Sequence, residues 1–145
     1  MRWQRMWRQG KERYMTKEEA YYVNPTVLAY LGDAVYEVFV RRQMVDSGQV
    51  HADRLHQGAV RYVRAEGQAQ AIRAMFDGLS PEEQLLVKRA RNKKITSKPR
   101  YVDSRLYKWA TAFEALIGFL QLSGQEERMN QLMAQAVRII GGAEG

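Results

Sequence analysis

Two long segments decide what this chain can become: NPTVLAYLGDAVYEVFVRR at 24–42 and SRLYKWATAFEALIGFL at 104–120. In both, apolar residues return at three- and four-residue steps, the period of a helix with a buried face, and neither alternates as a half-buried strand does. Asn24 offers a capping side chain and Pro25 suits the first helical position, so a helix is expected from there to about Met44. Its core stripe is Leu28, Leu31, Val35, Val38 and Phe39, and Asp46, Ser47 and Gly48 end it. Asp103 or Ser104 caps the second helix, which carries Leu106, Trp109, Phe113, Leu116, Ile117 and Leu120 and stops at Gly124.

The remaining segments are shorter helices. The stretch 51–75 reads as two of them, parted near Gly67, and Gly78, Ser80, Pro81 and Glu83 spell a stop, a cap and a capping box before a helix at 81–91. A last helix at about 125–140 buries Met129, Leu132, Met133, Ala136 and Ile140. No run reads as a strand and no repeat is visible, so the class is all-α, about six or seven helices packed around the two long ones. A chain of 145 residues suits one domain, placed at 21–141 behind a basic arm at 1–20 in which Met6 and Met15 are alternative starts.

Composition narrows the chemistry. Twenty-three Lys and Arg against 16 Asp and Glu leave a net charge of +7, which favours a polyanionic partner. No apolar run is long enough for a membrane span, and the Arg-rich start lacks the apolar segment of a secretory signal, so a cytoplasmic protein away from membranes is expected. With no cysteine and only 2 histidines, any metal must be held by oxygen, which points to Mg²⁺ or Mn²⁺.

Two acids lie inside apolar helical sequence: Asp33 in LAYLGDAVYEVFV and Glu114 in WATAFEALIGFL. Removing a carboxylate from water is costly unless it is paired or holds a cation. Tyr30 and Glu37 share a helix side with Asp33, and Thr111 lies one turn before Glu114. If the two helices cross there, the site presents carboxylates and a hydroxyl. Equally open from spacing alone, Asp33 bonds to nearby backbone and Glu114 pairs with Lys108 or Arg105.

The motifs themselves go further. LAYLGDAV at 28–35 resembles the ribonuclease III signature, and FEALIGFL at 113–120 resembles that family's second acidic motif, in the same order and at a similar separation. The short form, with no appended double-stranded-RNA-binding domain, is similar to the Mini-III branch over about 21–140. The resemblance implies a ribonuclease III-type helical endonuclease domain that cuts double-stranded RNA with Mg²⁺, leaving 5'-phosphate and 3'-hydroxyl ends. Asp33 and Glu114 match its metal-site carboxylates, whereas Ala29 and Thr111 stand where the full-length enzymes carry further acids. That reduced set suits the Mini-III branch but leaves the number of metals open, with water completing the shell. A structural role for Glu37 is favoured over assistance at the metal. The implied substrate is a precursor of large-subunit (23S) ribosomal RNA, and the implied assembly is a homodimer through the signature helix, with Tyr30 and Phe39 partly at the interface.

The basic run RNKKITSKPRYVD supplies the expected RNA contacts: Arg91, Asn92, Lys93, Lys94, Lys98 and Arg100, with Thr96 and Ser97 as weaker neutral candidates. Lys88, Arg89, Arg105 and Lys108 extend the same cationic stretch. Duplex RNA is read through phosphates, 2'-hydroxyls and shape, so little sequence preference is expected. Two alternatives compete: a non-catalytic RNA-binding or ribosome-associated protein that kept this fold, favoured by Ala29 and Thr111, and a helical module binding duplex DNA, for which no helix-turn-helix spacing speaks.

Overall fold

A computed structural model describes residues 13–94 and 103–142. The helices are α1 (Lys17–Tyr21), α2 (Pro25–Asp46), α3 (Ala52–Val63), α4 (Ala65–Met75), α5 (Pro81–Asn92), α6 (Ser104–Leu122) and α7 (Glu126–Gly142), with one 3-10 turn, Phe76–Gly78, after α4. There is no strand among the described residues, and the protein is all-α. Nor is any helix among them long and apolar enough to cross a membrane.

Local chemistry explains most helix starts. Asn24 accepts from the Thr26 amide at 2.9 Å, with Pro25 in the first position. Ser80 and Glu83 close the expected capping box at 3.1 and 2.9 Å, and Asp103 accepts from the amides of Arg105 and Leu106. Such caps contribute about 1 kcal/mol each. Glu83 does more than cap: it is buried, and the Arg128 guanidinium grips both its oxygens at 2.8 and 2.9 Å, tying α5 to α7. That grip, ahead of the cost of burial, holds the Glu83 carboxyl below its ordinary range.

The centre of the molecule is α6, whose residues from Ala115 to Leu120 are all buried. A helix apolar all round has to be wrapped by others, and α2, α4, α5 and α7 do so. The α2 crossing is the closest. A β-carbon on Gly32 would lie 1.7 Å from the carbonyl oxygen of Glu114, and one on Gly118 would lie 1.9 Å from that of Leu28. The two glycines thus let two backbones touch, and Tyr36 sets its ring edge-on to Phe113 at 4.8 Å beside them.

Three expectations change. The buried side of α2 is Leu28, Ala29, Gly32, Tyr36 and Val40, so Leu31, Val35 and Phe39 flank the core and Val38, 59% exposed, lies outside it. Glycine, which carries no side chain into an apolar stripe, marks the true centre of contact. The break in 51–75 falls at Arg64, extended at φ −68° and ψ 158°, and Gly67 lies inside α4, where a β-carbon would meet the Arg61 carbonyl at 2.7 Å. Residues 13–20, read as arm, include a segment docked on the body: Met15 donates to the Leu122 carbonyl at 2.7 Å, Tyr14 to Glu126 at 2.7 Å, and Ala20 is buried. The rest of the arm, 1–12, lies outside the described residues. The last helix buries all five of its expected residues.

Candidate active site

The touching backbones bring Asp33 and Glu114 together. Asp33 follows Gly32, and Glu114 supplies the carbonyl on which Gly32 rests, so both acids stand at one crossing point. Their side chains are close enough to act on one another. Their surroundings differ. Glu114 is half-buried between helices, whereas Asp33 is exposed. The expectation that both are desolvated therefore holds in part, for Glu114; Asp33 borders solvent because it stands at the edge of the α2–α6 contact that Gly32 centres.

Burial pushes the Glu114 carboxyl up to about 9, helped by the hydrogen bond to Asp33 and the repulsion between the two acids, and opposed by a hydrogen bond from Gln68. Without a cation, Glu114 retains a proton at neutral pH. Gln68 reaches it from α4, its Nε2 lying 3.5 Å from Glu114 Oε2. Neither Lys108 nor Arg105 is what Glu114 meets, since Gln68 and Asp33 take that place. Sequence reasoning missed Gln68, although a signal existed: it lies four residues before Ile72 and seven before Met75, on the core stripe of α4. A polar residue on such a stripe raises the same question that Glu114 does.

Among the described residues no three or more His, Asp or Glu side chains come together in a way that would hold a metal. The donor set is two carboxylates, with Gln68 adjoining. Glu37 turns instead to Arg41, at 2.9 Å one turn on, as a structural residue would. Ala29, a turn before Asp33, is buried, and Thr111 is partly buried. Two acids at one crossing nevertheless suit a divalent cation, because Mg²⁺ binds through one or two carboxylates and keeps several waters.

The basic candidates divide. Arg91 and Asn92 close α5, with the Arg91 guanidinium 4.9 Å from the Trp109 ring and its Nε 3.1 Å from Asn92 Oδ1. Lys93 is bound to the start of α2, donating to Asn24 Oδ1 and to Thr26 Oγ1 at 2.8 Å. Arg89 turns inward, donating to the Tyr21 carbonyl and covering the Tyr21 ring at 4.3 Å. Lys94 is exposed, and Lys98 and Arg100, with Thr96 and Ser97, lie outside the described residues. The fold thus occupies Arg89 and Lys93 and leaves Lys94 facing solvent.

Comparison with known proteins finds relatives over most of the chain. Residues 26–125 match the model of the ribonuclease III domain. A Mini-ribonuclease 3 from Brevibacillus brevis is 46% identical over 82% of this chain and 89% of its own, and one from a Thermoanaerobacter species is 39% identical over 87% and 89%. The fold also matches a crystal structure of a protein from Fusobacterium nucleatum, with a TM-score of 0.72 and 28% identity over 79% of this chain and 88% of that one.

Proposed function

From the premise that this chain belongs to the ribonuclease III family and is an endoribonuclease of the Mini-ribonuclease 3 kind, we propose that it cuts double-stranded RNA with Mg²⁺ at a site made by Asp33 and Glu114. The observation that carries the assignment is the meeting of these two acids at the α2–α6 crossing, one open to solvent and one half-buried. Asp33 and Glu114 would hold the metal, with waters and a substrate phosphate completing its shell; Mn²⁺ would be accepted in place of Mg²⁺. When bound, such an ion supplies an activated water and charge relief at the phosphoryl and leaving oxygens. Hydrolysis adds water oxygen to phosphorus and releases the 3'-oxygen, leaving 5'-phosphate and 3'-hydroxyl ends. The half-buried position of Glu114 keeps one ligand fixed, and the exposed position of Asp33 leaves room for the strand to approach.

An end-labelled RNA duplex incubated with the protein tests this. Cutting that needs Mg²⁺ and yields those ends is expected; tight binding without cutting in Mg²⁺ or Mn²⁺, across several duplexes, would turn the reading to a non-catalytic RNA-binding protein. From the family resemblance alone, the cellular substrate is a precursor of 23S ribosomal RNA in the cytoplasm. The catalytic domain is placed at 21–141, with the short segment before it packed alongside.

The basic run from Arg91 carries the densest positive charge, so we assign phosphate contacts to Arg91, Asn92, Lys93, Lys94, Lys98 and Arg100. Because Lys93 also ties α5 to α2, the cleaner test leaves it in place. Replacing Lys94, Lys98 and Arg100 together by Ala should lower the slope of log affinity against log salt by roughly 2 to 3, at about 0.9 per phosphate contact. An unchanged slope in filter-binding measurements would dismiss this basic run as the docking surface.

Cutting both strands asks for two such sites, most simply in a homodimer. Along α2, Val27, Tyr30, Val38 and Val45 are 53%, 83%, 59% and 64% exposed, an apolar stripe that a second copy would cover. Phe39, by contrast, packs against the core. A monomeric mass at micromolar concentration, together with full double-strand cutting, would count against the dimer.

A further inference from the structure

Among the described residues, two polar or charged side chains are buried: Gln68, 3% exposed, and Glu83, 5% exposed. The fold accounts for Glu83, which caps α5 and binds Arg128. It does not account for Gln68. The neighbours of Gln68 on the inner side of α4 are Ala69, Ala71, Ile72 and Met75, all buried and apolar, and an apolar residue at 68 would pack among them without the cost of enclosing an amide. The hydrogen bond its amide makes is to Glu114, at 3.5 Å.

We propose that Gln68 is a positioning residue for Glu114, holding the carboxylate by Oε2 so that Oε1 is presented to the cation shared with Asp33. This rests on the reading of Asp33 and Glu114 as a cation site. The chemistry of the amide suits the task. It donates to a carboxylate without changing the charge of the site, whereas Lys or Arg would compete with the cation and Glu would add a third negative charge. The backbone fixes where the amide sits. Gly67 allows the start of α4 to lie against the end of α3, and the Gln68 backbone N–H donates to the Arg64 carbonyl at 3.1 Å. A hydrogen bond to the ionised carboxylate is stronger and shorter than one to the neutral acid.

The test compares wild type, Asp33→Asn and Gln68→Leu, the last being close in volume and unable to donate. Free Mn²⁺ is followed by electron paramagnetic resonance, and cleavage is measured over a range of duplex concentrations. Gln68→Leu should weaken Mn²⁺ binding by about 10-fold or more, as is typical when a residue orienting a metal ligand is lost, and should lower kcat while KM for the duplex stays near wild type. Unchanged Mn²⁺ affinity in a folded Gln68→Leu protein overturns the assignment while leaving the site itself intact. Wild type binding Mn²⁺ no better than Asp33→Asn overturns the parent reading and this one with it. Gln68→Met provides a second variant if the first does not fold; loss of the fold in both would give the amide a structural role and overturn the proposal.

Discussion

Asp33→Asn and Glu114→Gln are each expected to lower the rate of duplex RNA cleavage by on the order of 10³-fold or more, about 4 kcal/mol of transition-state stabilisation. Both substitutions keep the shape of the side chain and remove its charge. With two carboxylates in the donor set, either change halves the anionic charge available to a cation, and among the described residues no other Asp or Glu joins them: Glu37 is paired with Arg41, and position 29 is a buried Ala. Single-turnover cleavage of a labelled duplex by purified, folded variants is the measurement. Turnover near that of wild type in either would remove that residue from the catalytic assignment.

Glu114→Gln carries an opposite expectation for stability. A carboxyl raised from 4.5 to about 9 binds its proton more tightly folded than unfolded. Its contribution to stability is therefore complete below the unfolded value and is lost as pH rises through the folded one. Without divalent cations, the Gln variant should melt above wild type at about pH 8 to 9 and converge with it near about pH 4. Adding Mg²⁺ should narrow the gap, since a ligand that binds only the folded wild type stabilises it. A site that is less stable empty than its inactive variant is one that trades stability for function.

Much of this was legible in the sequence where one residue decides the local outcome. Asn24 before Pro25, Ser80 with Glu83, and Asp103 each start a helix as their side-chain chemistry requires. The last helix has a single apolar face and declared it. The two acidic motifs were readable because a charge inside an apolar helix is an anomaly whatever the fold. The rotation of α2 was not legible, because Val27, Tyr30 and Val38 are apolar yet exposed, so apolar residues surround the helix and point to no single side. Periodicity reads burial in one chain and cannot separate a core face from a face awaiting a partner. The kink at Arg64 escaped for a related reason: a glycine nearby drew the break to itself, although Gly67 serves close packing. Arg89 and Lys93 illustrate the limit for charge. Both belong to a basic run, and only tertiary structure reveals that one holds the Tyr21 carbonyl and the other the start of α2.

Gly32→Ala should produce the largest loss of stability of any single methyl added to this protein. A glycine inside a helix costs roughly 1 kcal/mol relative to Ala, so on propensity alone the change would stabilise α2. Packing reverses the sign. The new β-carbon would lie 1.7 Å from the Glu114 carbonyl oxygen and 2.9 Å from the Gly118 amide nitrogen, and these are backbone atoms with no rotamer to escape into. The helices must part, which opens the core around Tyr36 and Phe113. A net loss of about 3 kcal/mol or more is expected, at or beyond the usual range for overpacking. That corresponds to a fall in Tm of roughly 6 to 12 °C for a chain of this size. Gly118→Ala, which meets the Leu28 carbonyl at 1.9 Å, should behave alike, and Gly78→Ala, whose methyl meets nothing within 4 Å, is the control. The same parting displaces Asp33 from Glu114, so the Gly32 variant should lose cleavage even at temperatures where it remains folded. Thermal unfolding followed by circular dichroism measures the first effect, and cleavage well below the variant's Tm measures the second. A Gly32→Ala protein as stable as the Gly78→Ala control would mean that the two helices do not touch backbone to backbone, and the geometry that joins the acids would have to be redrawn.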